Sequence, residues 1–338
     1  MPGLAVQQNG GALTQPTLQT IMALRSGAGL FPTQGNIFVV NPRTGSDNNP
    51  ASYEAPLKGL RTAYEMATAN QNDTIYLLGS GNAAGDTTAR LAASLVWAKD
   101  LVHLIGVNDG PLVSQRSRIA FEPAYNSAAP MVDVTGSNCF FANVQMFMGV
   151  AGTVPLGSLR VAGSRNVFQN CHIAGIGNDA NDIAGAYSLF LDGAAENMFI
   201  GGAIGLDTVA RGTNANSEIL IDTASARNVF DGTLIYAMLE HATNHPLVKL
   251  VDATSIDRFL RFRNCMFLNE SVNYAIAQAG NFKLVSALTQ GFITLENCIT
   301  NSSDNSTAVK WDVDDRNQIS LFNSPTPAAD TAGCGRQV

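Results

Sequence analysis

Asp192, Asp222 and Asp252 stand thirty residues apart, and each directly follows an apolar residue: Leu191, Ile221 and Val251. If that period is a structural layer, neighbouring carboxylates lie about 5 Å apart, the separation of stacked strands. Two carboxylates at about 5–5.5 Å are what a retaining glycosidase uses, one as nucleophile and the other as acid/base. The competing reading is local. Aspartate is a favoured turn residue whose carboxylate bonds nearby backbone. The line runs into Gly193 and Thr223, and no aromatic platform accompanies it in sequence. We therefore expect turn residues here and keep Asp192, Asp222 and Asp252 as the catalytic alternative. Asp207 and Glu218 flank a loop and could join such a site, but a solvated loop is the plainer expectation.

Other chemistry is thinly represented. His103, His172, His241 and His245 show no ligand spacing on a clear element, since Asn244 and Pro246 break any helix around the last two. No metal site or cofactor is expected. There is no GxSxG elbow, and the glycine strings at 27–29 and 201–205 lack the strand-to-helix context of a phosphate loop. The five cysteines, Cys139, Cys171, Cys265, Cys298 and Cys334, are widely spaced with no CxxC, which reads as reduced, buried thiols.

What must position these side chains is an internal repeat. Six segments align: CFFANVQM (139–146), NVFQNCHI (166–173), NMFIGGAI (197–204), NVFDGTLI (228–235), LRFRNCMF (260–267) and ITLENCIT (293–300). A second set, MVDVTG, SLRVAG, SLFLDG, EILIDT and LVKLVDA, precedes them at nearly the same period. Each unit reads as two short strands joined by a tight turn, then a loop, with no helical pattern between units. That excludes alternating strand–helix folds and predicts a right-handed parallel β-helix, in which equivalent strands stack in parallel. Phe141, Phe168, Phe199, Phe230, Phe262 and Leu295 should form one inward stack. Asn166, Asn197 and Asn228 should form a ladder, beside Arg165, Glu196 and Arg227 alternating in sign. Alternation removes like-charge repulsion between layers.

The ends of the repeat organise the remainder. Residues 1–35, rich in Gln, Gly, Thr and Pro with scattered apolar residues, read as an extended N-terminal arm that orders on a partner. Residues 36–80 read as an opening strand, a turn-rich loop, an amphipathic helix over Leu57–Ala69 that caps the core, and a strand. Residues 81–300 hold the β-helix coils, and 301–338 a C-terminal cap and tail. Side loops at 148–157, 174–187, 205–217, 236–246 and 268–282 carry Met148, Ile176, Val209, Leu239 and Val272 among other apolar residues. An aligned apolar loop face is an interface expectation, with symmetric self-association as its default.

Composition narrows the classes further. Charged residues are 14% of the chain, and the net charge is −7 with no Lys/Arg run, so no footprint for nucleic acid or an anionic membrane is expected. The first residues lack the basic and apolar stretches of a secretory signal, and no window approaches the roughly 20 apolar residues of a membrane span. Synthesis in the cytoplasm follows as the expectation.

One segment is recognisable. Gly45-Ser46-Asp47, Pro56-Leu57-Lys58-Gly59-Leu60 and Asp73-Thr74-Ile75-Tyr76-Leu77 resemble the opening segment of right-handed β-helix proteins. The later stretches TIYLLGSGNAAGDTTARL, HLIGVNDGPLVSQRSRIA and GSRNVFQNCHIAG resemble β-helix virion proteins of tailed bacteriophages. That family contains head-decorating proteins and tail spikes, and some spikes cleave surface glycans. The resemblance implies a non-enzymatic virion protein on the outer surface of the head. It would be a decoration or cement protein whose partners are the major capsid protein and itself, as a homotrimer. The alternative is a tail spike or fibre that binds or cleaves host glycan.

Overall fold

The computed structural model describes residues 35–79, 88–107, 117–151, 154, 157–212, 215–240, 245–271, 280–302, 311 and 318–324. The expected N-terminal arm, residues 1–35, lies outside these apart from its last residue, as does most of the expected C-terminal tail.

The fold is an all-β parallel β-helix. Strands fall into three sheets of ten, eight and seven strands, here called A, B and C, and the chain visits them in that order in each coil. A coil thus has three strands where the repeat suggested two. The segment NVFQNCHI is split: Val167–Gln169 lies in sheet A and His172–Ala174 in sheet B. Between them Asn170 takes the left-handed conformation, φ 50°, and turns the chain through the corner. Asn143, Asn264 and Asn297 do the same at their own coils, with Gly201 and Gly232 at the equivalent positions. Asparagine and glycine are the residues that tolerate this conformation. A one-residue corner hardly disturbs the in–out alternation, so in sequence two strands pass for one.

The core is built as stacks. Rings of Phe141, Phe168, Phe199, Phe230 and Phe262 follow one another with centroids 4.8, 4.8, 4.6 and 4.7 Å apart and planes within 10°. Leu295 continues the column in register with Phe262. A buried asparagine ladder runs beside it. The backbone N–H of Asn166 donates to Asn197 Oδ1 at 2.9 Å, and that of Asn197 to Asn228 Oδ1 at 3.0 Å. Their amide Nδ2 groups donate to the carbonyls of Gly136, Gly163 and Ala194. Outside this ladder Glu196 sits between Arg165 and Arg227, at 3.3 and 3.0 Å.

At the N-terminal end the chain between sheet A strands Ile37–Val40 and Asp73–Leu77 carries a helix, α1, Leu60–Met66, in place of strands of sheets B and C. It buries Leu60, Ala63 and Tyr64, and Tyr64 packs on Trp97 with ring centroids 4.5 Å apart. The helix is shorter than the expected Leu57–Ala69. Leu57 is engaged as a parallel bridge to Val40, and Ala67 leaves the helix with ψ 148°. At the other end sheet A runs past residue 300, gaining Ile319–Phe322 beside Phe292–Glu296. Trp311 is buried, and its ring lies edge-on to Phe267.

The expected apolar loop face is corrected. Residues 205–211 and 236–239 of these loops are strand, within Ala203–Arg211 and Leu234–Leu239 of sheet B. Met148, Ile176 and Leu239 are fully buried and Val209 nearly so. Ile176, Ala186 and Val209, with Ile183 against them, form a small second core outside the coil. The loops are apolar because they cover one another. Val272 lies outside the described residues.

Candidate functional site

The acidic line is only partly assembled. Asp192 and Asp222 are register partners on neighbouring strands of sheet C. The next pairing, Ile221 with Leu250, is offset by 29 residues, not thirty, so the backbone opposite Asp222 is Val251. Asp252 therefore falls one residue further, in a turn. Its Oδ1 accepts from the Thr254 N–H at 2.7 Å, the Thr254 hydroxyl at 3.0 Å and the Ser255 hydroxyl at 3.3 Å. The Thr254 N–H is the main cause that lowers the Asp252 carboxyl below its ordinary range. Asp222 accepts from the N–H of Thr223 at 2.8 Å. Asp192 bonds Arg160 at 2.6 Å and accepts from the Thr223 hydroxyl at 2.6 Å. Burial would raise its carboxyl, but Thr223 and Arg160 outweigh that and lower it. Arg160 also pairs with Asp133 at 2.9 Å, completing an acid–base–acid stack. A general acid needs a raised pKa; Asp192 and Asp252 are shifted the opposite way.

Asp207 and Glu218 part company. Asp207 is exposed but lies in strand Ala203–Arg211, not in a loop, whereas Glu218 is fully buried. Its Oε1 accepts from Arg211 Nε at 3.0 Å and Nη2 at 2.7 Å, and its Oε2 from the Ser188 hydroxyl. His245 Nε2 stands 3.3 Å from Oε1. Burial would raise the carboxyl, but Arg211, His245 and Ser188 outweigh it and hold the group at about 2. Nearby, His172 accepts from Gln145 at Nδ1, 2.9 Å, and donates from Nε2 to the Gly205 carbonyl at 3.0 Å. This cluster anchors the side loops to the coil. Both partners of the ion pair are sealed from water, the arrangement of a structural anchor.

An open groove lies elsewhere. Outside the last strands of sheet A is a groove of about 380 Å3 lined by Phe259, Arg261, Phe292, Thr294, Glu296 and Phe322. Phe259 and Phe292 are register partners with ring centroids 6.3 Å apart. Phe292 is 51% and Phe322 58% exposed. Arg261 and Glu296 pair across the floor. Exposed ring faces beside a paired charge can hold a ligand with an apolar face and polar edges. The one carboxylate among the described lining residues is already tied to Arg261, which suits binding better than proton transfer. Sequence reasoning missed this platform, although a signal existed: Phe259 and Phe292 each precede the inward residues Phe262 and Leu295 by three positions.

Four of the cysteines are buried and free. Burial raises the thiols of Cys139, to about 11, and Cys171, to about 12. Among the described residues no group of acidic, histidine and cysteine side chains could hold a metal, and no helix is long and apolar enough to cross a membrane.

No protein-family model matches the chain, and no curated protein matches it in sequence. Solved structures do match in shape. A rhamnogalacturonan lyase superposes with a TM-score of 0.51 at 13% identity, over 82% of this chain and 73% of its own. The pectate lyase Pel9A gives 0.47 at 12%, over 88% and 80%. ORF18 of Geobacillus virus E2 gives 0.43 at 10%, over 85% of this chain and 60% of its own. Glycan-active β-helix enzymes and a phage protein are thus among the structural neighbours. At 13% identity the likeness to the rhamnogalacturonan lyase shows a shared fold and nothing about chemistry.

Proposed function

We propose that the chain is a non-enzymatic phage virion protein that binds the outside of the assembled head shell, self-associates as a trimer and uses no cofactor. The carrying observation is how its acids are used. Asp133–Arg160–Asp192 and Arg165–Glu196–Arg227 neutralise charge from coil to coil, and Asp252 is tied into its own turn. Asp192 and Asp252, two of the three acids in the line, are thereby committed to structural bonds. The resemblance of its sequence to phage β-helix virion proteins supports the same reading. A subunit that binds only the closed shell stabilises it by mass action. The arm at residues 1–35 and the phenylalanine groove are the contact surfaces this reading uses.

The groove also favours a second reading, a tail spike or fibre, because exposed rings of this kind can stack on the faces of sugars. One experiment separates the two. Purified chain is added to particles lacking it. The first reading expects saturation at hundreds of copies per particle and a higher temperature of shell disruption. Occupancy of tens or fewer, or release of oligosaccharide from host surface glycan, would establish the spike instead.

A further inference from the structure

Among the described residues two pairs of like charge are register partners; in the first, Asp192 and Asp222, Arg160 neutralises Asp192 at 2.6 Å. On the outer face of sheet C, Lys249 and Lys283 are register partners on neighbouring strands. They point the same way about 4.8 Å apart, the spacing of adjacent strands. Like charges directly opposite one another destabilise a sheet. Neither ammonium has an ion pair or hydrogen bond among the described residues, whereas Arg160, Arg165, Arg227, Arg261 and Arg263 each have an acidic partner. Burial, and then the charge of Lys283, lowers the Lys249 ammonium below its ordinary range. Leu220 precedes Lys249 in the same column, and Val285, two residues beyond Lys283, is 43% exposed. The surface is therefore basic with apolar flanks. Of the two like-charge pairs this is the one with no opposite charge bonded to it among the described residues, and a local rule broken without compensation points to function.

We infer that Lys249 and Lys283 are a docking site for a carboxylate-bearing polypeptide segment of a partner. One carboxylate can bridge two ammoniums a strand apart, and apolar residues beside it would cover Leu220 and Val285. The bound partner removes the repulsion that the free protein carries. This holds whether the protein sits on a head or a tail.

The test uses the full chain and a hexaglutamate peptide, titrated calorimetrically at low salt. The variant K249Q/K283Q should bind the peptide at least tenfold more weakly. The control R165Q/R227Q, with the same change in net charge on another face, should bind as the wild type does. K249Q/K283Q should also melt higher than wild type at low ionic strength and equally at high, which shows that it is folded. Equal peptide affinity in the two variants overturns the proposal. So does inorganic phosphate binding as tightly as the peptide, which would make this a general anion site. So does a tenfold gain in peptide affinity on D312N/D314N/D315N, which would show that the chain's own acids occupy the lysines.

Discussion

Arg211 grips one oxygen of Glu218 through both Nε and Nη2, with neither side chain reaching solvent. The guanidinium also bonds the carbonyls of Val209 and Leu206. The pair therefore joins the irregular part of strand Ala203–Arg211 to the first residues of strand Ser217–Asp222. Glu218→Gln leaves a buried guanidinium without its counter-charge. We expect a loss of about 3–5 kcal/mol, read by urea denaturation. Replacing both residues, as R211M/E218L, should cost less than the single change. A double variant as unstable as the sum of its singles would mean the two do not act as a pair.

The same carboxyl sets an acid limit. In the folded protein it lies at about 2, against an ordinary 4.5. A folded value below the unfolded one means the native state binds fewer protons, so the stabilisation is complete above pH 4.5 and is lost as pH falls toward 2. Melting temperature should fall through this window in the wild type and more gently in E218Q. Parallel curves would show that other groups govern acid unfolding.

His103 adds to the loss on a higher branch. Burial lowers it to about 4 from 6.5, against the opposing charge of Asp73, and its Nδ1 accepts the Phe140 N–H at 3.1 Å. Stability from this neutral imidazole is present above pH 6.5 and declines as pH falls through that value. Its NMR resonance should not titrate until near pH 4; a midpoint at 6.5 would contradict its burial.

The ring column makes a sharper demand. Phe199→Asp or Phe230→Asp places a charge between two stacked rings at full burial and should unfold the central coils. Phe199→Leu keeps the apolar contact and loses the stacking, a cost of about 1 kcal/mol. Circular dichroism and thermal melting check both. An aspartate variant that melts with the wild type would sink the stack.

Asp192→Asn removes one acidic partner of Arg160, which keeps Asp133, and Asp222→Asn removes a charge while its amide oxygen can still accept the Thr223 N–H. The Arg160 and Asp192 side chains are 30% and 20% exposed, but Arg160 keeps Asp133, so the expected loss is about 1 kcal/mol. Under the proposed virion role, particles carrying either variant should assemble and infect as the wild type does. Loss of glycan cleavage in a folded double variant would return the pair to the active site of a spike.

Features tied to residue identity at a fixed spacing are legible in the amino-acid sequence itself. The phenylalanine column, the asparagine ladder and the Arg165–Glu196–Arg227 alternation each need the same kind of residue once per coil, and stacking a repeat can only bring like positions together. The left-handed asparagine corners are visible for the same reason, although their role in splitting each segment into two strands is not. The tertiary structure alone decided whatever depends on register or on covering. A slip of one residue between strands Ser217–Asp222 and Val248–Leu250 removed Asp252 from the acidic line, and spacing alone does not reveal where a coil gains or loses a residue. The apolar side loops read as an interface because sequence shows that a residue is apolar but not what lies above it. In the fold they bury one another, and in doing so they seal Glu218 with Arg211. The phenylalanine groove came from the converse: no described residue closes over Phe292 and Phe322, and exposure is a property of the whole packed chain.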